Sequence, residues 1–259
     1  MLVAIYSAVI LVATTLGAFV GLGGGVIIKP VLDFIGAEPR MQVDFLSSAA
    51  VFTMSVVSTL RYMKKKVEFK KDIIAFVSIG SIAGGWLGSQ CVDLLGAVAP
   101  QEKIRCIQAF VLSALLAAVC FYVSKERKSF HVENKAAILL VGLMLGFFAS
   151  FLGIGGGPIN VAVLTLFFSM NVKESAVYSV AIIFFSQLSK LVTLFASTGI
   201  EPYAHQWKTL IFILPAAILG GIIGSKFNRR FDDKLIRKIF SAVMLLLVAL
   251  NIYNGISYM

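Results

Sequence analysis

The pattern Gly21-Leu22-Gly23-Gly24-Gly25 comes back 132 residues later as Gly153-Ile154-Gly155-Gly156-Gly157, and both copies interrupt long apolar runs. Three consecutive glycines weaken a helix by about 1 kcal/mol each relative to alanine. In hydrocarbon, loosened backbone is tolerated only where it is buried in protein or lines a cavity. A chain that carries this weakness twice reads as one binding site built in two halves, one from each copy.

The surrounding sequence sets the solvent. The chain is 59% hydrophobic and 14% charged, with a mean hydropathy of +0.92. Soluble domains are closer to half apolar and a quarter charged. Several runs reach the roughly 20 apolar residues that span a bilayer, so an all-α polytopic membrane protein is expected, with no appended soluble domain. Met1 to Val20 has no Lys or Arg. A cleaved signal peptide has a basic start, so this segment is expected to be retained.

The net charge of +10 would suit nucleic acid, but its placement does not. Sixteen of the 23 basic residues fall in three short stretches between apolar runs. Arg61, Lys64, Lys65, Lys66, Lys70 and Lys71 make the first, and Lys125, Arg127, Lys128 and Lys135 the second. Lys226, Arg229, Arg230, Lys234, Arg237 and Lys238 make the third. That is the positive-inside pattern of cytoplasmic loops, and no nucleic-acid partner is expected. Cys91, Cys106 and Cys120 form no CxxC pair and read as small packing residues. His131 and His205 have no ligand spacing, so neither a metal nor any other cofactor is expected.

The duplication extends beyond the glycines. At the offset of 132, Ile27 matches Ile159, Ser47 matches Ser179, Ala49 matches Ala181 and Phe52 matches Phe184. At an offset of 136, Gly84-Gly85 and Gly88-Ser89 match Gly220-Gly221 and Gly224-Ser225. The expected organisation is a first membrane repeat over 1–123, a basic cytoplasmic linker over 124–135 and a second repeat over 136–259, together forming one membrane domain. Eight simple spans would put the basic stretches 61–71 and 226–238 on opposite sides. If each glycine-broken run instead enters and returns, or crosses twice, all three basic stretches face the cytoplasm. Both termini then lie outside, and the halves become inverted. Each half is then a glycine-broken hairpin plus three transmembrane helices, the architecture of many secondary transporters.

A helix starting after each triplet would present unpartnered N–H groups and roughly half a positive charge. Pro158 supports a helix start after Gly157. Two such ends meeting near the midplane make an anion site. The candidate contacts are Gly23, Gly24, Gly25 and Val26 in the first copy, and Gly155, Gly156, Gly157 and Pro158 in the second. Asn160 and Gln187 are amides deep in apolar runs and can donate to the anion or tie helices together. Ser47 and Ser179, at matching positions, are candidates for the same site or for small-residue packing. Lys29 is an intramembrane cation, a functional position by default, though an i,i+4 ion pair with Asp33 competes with that role. Lys190 is expected to snorkel outwards. Asp33 and Asp44 both lie close to a turn, so a carboxylate proton relay is not visible. Gly80-xxx-Gly84-xxx-Gly88 and Gly220-xxx-Gly224 present small faces for helix packing. HExxH, GxSxG and acid-cluster signatures are absent, and no enzyme is expected.

The runs from Gly21 through Lys29 to Pro30 and from Gly153 to Asn160 resemble the duplicated motif of the TauE/SafE sulfite-exporter-like permeases, also called toluene-sulfonate uptake permeases. The similarity covers essentially the whole chain. It implies a multi-pass transporter of small sulfur-containing anions, such as sulfite, sulfoacetate or other sulfonates, in a bacterial or archaeal inner membrane. A proton or sodium ion could be the coupling partner. An uncoupled anion channel, or a sensor or scaffold without flux, is the alternative. The family usually has apolar residues where Lys29 stands, and often Thr-Ser pairs where Ser47-Ser48 and Tyr178-Ser179 stand.

Overall fold

The computed structural model describes residues 2–65, 70–124, 130–152 and 156–257. Gly155, with Gly153 and Ile154, lies outside the described residues, as do Lys66, Lys125, Arg127 and Lys128. Among the described residues the first half forms α1 (Leu2–Val20), α2 (Gly25–Ile35), α3 (Arg40–Lys64), α4 (Lys71–Val98) and α5 (Gln101–Ser124). The second forms α6 (Lys135–Phe151), α7 (Gly157–Phe168), α8 (Val172–Thr198), α9 (Trp207–Arg230) and α10 (Asp233–Ser257), with a 3₁₀ turn over Glu201–Gln206. Among the described residues seven helices are long and apolar enough to cross a membrane, and α6 and α7 are shorter apolar helices. The outward faces of α9 and α10 are apolar as well: Ile211, Phe212, Leu245 and Leu246 are mostly exposed.

Lipid tails are as apolar as leucine, so membrane helices associate by close backbone approach at small residues. The two glycine stripes make those approaches. On α4, Gly80, Gly84 and Gly88 lie against the carbonyls of Leu139, Leu143 and Phe147 of α6. From the other side of that seam, Gly142 and Gly146 lie against Val77 and Ser81. On α9, Gly220 abuts Thr14 and Gly224 abuts the Thr15 carbonyl of α1. The first helix of each half therefore lies along the fourth helix of the other half. In both seams residue numbers rise together, so the paired helices run in the same direction.

The described residues of the basic stretches lie toward one end of the bundle. Tyr62 Oη, near the end of α3, donates to Ala18 O at 3.3 Å. Phe19 packs on Phe227 and Phe231, with ring centroids 5.9 and 5.8 Å away. The Lys70 N–H donates to Tyr178 Oη at 2.7 Å, and Lys173 Nζ donates to Phe231 O at 2.9 Å. The Phe130 and Val132 N–H groups bond to Leu166 O and Phe167 O at 2.7 and 3.0 Å. At the other end, Gln206 Nε2 donates to Glu38 and Gln42 at 2.9 and 2.6 Å, tying the α2–α3 turn to the 3₁₀ turn.

Candidate functional site

Gly24 and Gly156 each lie back against the helix that precedes them, beside Ala13 and Ala149. Gly24 has φ of 76° and Gly156 has φ of 84°, in the left-handed region where a Cβ is strained. The reversal brings Gly24 back beside Ala13, where an added Cβ would stand 3.1 Å from the Ala13 carbonyl oxygen. Helix α2 then starts with the Ile27 and Ile28 N–H groups on Gly24 O, at 2.9 and 2.8 Å. Helix α7 starts with the Asn160 N–H on Gly156 O at 2.8 Å, and Pro158 is its second residue. Neither N-terminus carries a side-chain cap.

The two turns meet in the interior. Gly157 lies so close to the Leu22 carbonyl that a Cβ would overlap it. Ser179 Oγ donates to Gly21 O at 2.7 Å and lies 3.4 Å from Gly157 O, bridging the two copies. Gly23, Gly24, Gly25 and Val26 are buried with them, and Ser47 is buried on α3. Asn160, 2% exposed, folds its amide back onto Gly156. The structure thus brings the described glycines, Val26, Pro158, Asn160 and Ser179 together around the junction.

Gln187 lies apart from that junction, in a cavity of about 320 Å³ between α3, α4, α6 and α8. Ser81, Ser150, Lys190, Asp44 and Trp86 share its wall. Two residues connect the cavity to the glycine turns. Ala149 lines it and also touches Gly156, while Gln187 is one turn beyond Ile183, which touches Gly23.

The charges here differ from the sequence expectation. Lys29 Nζ pairs with Asp44 Oδ1 at 2.8 Å, across to α3. Lys190 Nζ lies 3.9 Å from the same oxygen. Asp44 is thus a carboxylate shared by two cations, which sequence reasoning set aside as a turn-proximal acid. Lys190 and Asp44 both stand on the wall of this polar cavity, and Lys29 reaches Asp44 from outside that lining. Among the described residues, no group of three His, Cys, Asp or Glu is placed to hold a metal.

The matching place in the other half is closed. At the established offsets Gly85 corresponds to Gly221, Gln187 to Ser55 and Lys190 to Ser58. Where Gly85 faces the cavity, Gly221 is packed on Met54 of α3, and Ser58 Oγ donates to Gly221 O at 3.2 Å.

The family model for the sulfite exporter TauE/SafE matches residues 6–252. The chain belongs to the TauE/SafE family. This is a family of multi-pass membrane transporters, not of enzymes. The chain is similar to the probable membrane transporter protein YunE of Bacillus subtilis, 28% identical over 95% of this chain and 96% of that protein. It is 25% identical to YjnA of the same organism, over 92% and 96% of the two chains. A probable membrane transporter protein of Methanocaldococcus jannaschii is 25% identical over 88% of this TauE/SafE chain and 87% of its own length. No solved structure matches.

Proposed function

We propose that the protein is a secondary transporter that moves a small sulfur-containing anion, such as sulfite, sulfoacetate or another sulfonate, across a bacterial or archaeal inner membrane by alternating access. The anion enters the cavity under Lys190 and Gln187. It then reaches the helix N-termini after the two glycine turns, where Gly23 to Val26, Gly156 to Pro158 and Asn160 stand. Lys29, Ser47 and Ser179 complete that shell. The halves 1–123 and 136–259 form inverted repeats joined by 124–135. The directions of α1 and α6 support this, since the first glycine hairpin starts from the end opposite the basic stretches and the second from the basic end. With the basic end in the cytoplasm, both termini lie outside and the cavity lies in the outer half.

One observation carries the reading. Matched positions of a duplicated chain are open in one half and packed in the other, and exchanging the two would expose the site to the opposite side.

Counterflow of labelled sulfite in proteoliposomes, with and without proton or sodium gradients, tests it. The expected result is saturable exchange, with Lys190→Met raising KM about tenfold, the effect of losing roughly 1.4 kcal/mol of charge interaction. Saturable uptake that never exchanges would favour a channel. No flux of any sulfur oxyanion, with a correctly folded protein, would sink the transporter reading.

A further inference from the structure

The last turn of α1 runs straight into the first glycine segment, and its carbonyls are held from three directions. The final C=O groups of a helix have no partner within it. Here the Gly23 N–H donates to Gly17 O at 3.3 Å. Tyr62 Oη of α3 donates to Ala18 O at 3.3 Å, and Asn228 Nδ2 of α9 donates to Phe19 O at 2.9 Å. Both side chains are fully buried. Tyr62 stands one turn beyond Ser58 on α3, and Asn228 two turns beyond Gly221 on α9, so these bonds extend the Ser58–Gly221 contact along the same seam. Arg61 and Arg229 are their neighbours in the chain, which puts the tie at the end that carries the basic stretches. Asn228 Oδ1 is buried without a hydrogen-bond partner among the described residues. An acceptor left in that state is costly, a cost that separation of α9 from α1 would relieve by admitting water.

The other half shows the same place without the tie. At the offsets of 132 and 136, Ala18 matches Ser150, Phe19 matches Phe151, Tyr62 matches Leu194 and Asn228 matches Val92. The side chains of Leu194 and Val92 have no hydrogen-bond donor. The Phe151 carbonyl is held by Gln108 Nε2 of α5 at 2.6 Å, a bond in which α4 and α8 take no part. Ser150 and Leu194 both line the cavity of about 320 Å³. The pair that is hydrogen-bonded shut in one half is therefore part of the open wall in the other.

We propose that Tyr62 and Asn228 are the latch of a gate: they hold α3 and α9 on the end of α1 and keep the basic end of the bundle closed while the cavity at α4 and α8 is open. The proposal rests on the alternating-access reading. Only one half can form this latch, so it biases the duplicated chain toward the arrangement seen here. Its release frees the end of α1 just before Gly21, which links the gate to the glycine turn where the anion is placed.

Single cysteines report the two sides in a chain with Cys91, Cys106 and Cys120 replaced by alanine. Ser55→Cys marks the closed side, since Ser55 is buried and matches the cavity-lining Gln187, and Ser189→Cys marks the cavity wall. In lipid nanodiscs both faces meet a water-soluble thiol reagent. Tyr62→Phe removes one oxygen, and Asn228→Val installs the residue of the other half. Either should speed the labelling of Ser55→Cys about fivefold, the effect of losing roughly 1 kcal/mol of hydrogen bonding. The double variant should speed it further and slow the labelling of Ser189→Cys, because the two sides open in exchange. Ser55→Cys labelling that neither variant moves would overturn the proposal. So would faster labelling at both cysteines, which a merely loosened fold gives. The transport reading is judged separately, by flux: a parent chain that exchanges sulfite while its Ser55→Cys labelling ignores both variants fails this proposal alone, and a parent chain without exchange fails that reading even where the labelling follows the latch.

Discussion

Gly157 and Gly199 separate two reasons for a glycine. Gly199 has φ of 72° and ψ of −172°, a region open almost only to glycine, and open space where its Cβ would stand, so Gly199→Ala meets backbone strain alone, about 1–3 kcal/mol. Gly157 faces the Leu22 carbonyl, which is backbone and cannot rotate away. Gly157→Ala should therefore push the two glycine turns apart, with an overpacking penalty of about 1–3 kcal/mol or more. In thermal unfolding in detergent both variants should melt below the parent chain, but only Gly157→Ala should also lose anion binding. Equal melting and equal binding would mean that the contact between the turns has no consequence. The existence of these turns was legible because three glycines in an apolar run are conspicuous. Asp44 was not legible in the same way. An acid four residues into a helix reads as a surface group, and only folding brings Lys29 of α2 and Lys190 of α8 to it. One signal was available: the residue matching Asp44 in the second half is the buried Ala176, and a charge that one repeat carries where the other has alanine marks a functional asymmetry.

Helix pairing follows from the glycine stripes, and here sequence reasoning went further with faces than with partners. The spacing of Gly80, Gly84 and Gly88 announces a small face, but nothing local says that the face belongs to α6 of the other half. Partner choice is a property of surfaces that meet only in the fold. The crossed pairing, α1 on α9 and α6 on α4, knits the two halves into one body. It also gives a test of independence. Gly84→Ala drives a methyl into the Leu143 carbonyl, and Gly224→Ala does the same at Thr15. The two seams share no residue, so their destabilisations, each about 1–3 kcal/mol, should add within roughly 0.5 kcal/mol in the double variant. A double variant no worse than either single one would show that breaking one seam already releases the other. The pairing would then be a single cooperative unit rather than two.

At the scale of the whole molecule the duplicated chain is not in a symmetric state. The cavity between α4 and α8 has its counterpart in the tight contact between α9 and α3, where Ser58 Oγ bonds to Gly221 O at 3.2 Å. If alternating access exchanges these two arrangements, the α3–α9 contact has to part in every cycle. A Cβ on Gly221 would lie 3.1 Å from Ser58 Oγ, so paired cysteines at these positions can close a disulfide without large backbone movement. The background is a chain with Cys91, Cys106 and Cys120 replaced by alanine, so that no other thiol competes. In it, oxidised Ser58→Cys/Gly221→Cys should bind labelled sulfite with unchanged affinity, because the cavity on the other side is untouched. It should carry no exchange flux, and reductant should restore that flux in proportion to the thiols released. Full flux through a quantitatively cross-linked protein would show that α3 and α9 never separate during transport. The asymmetry between the halves would then be a fixed feature of the fold, with the anion passing through a permanent route on the cavity side.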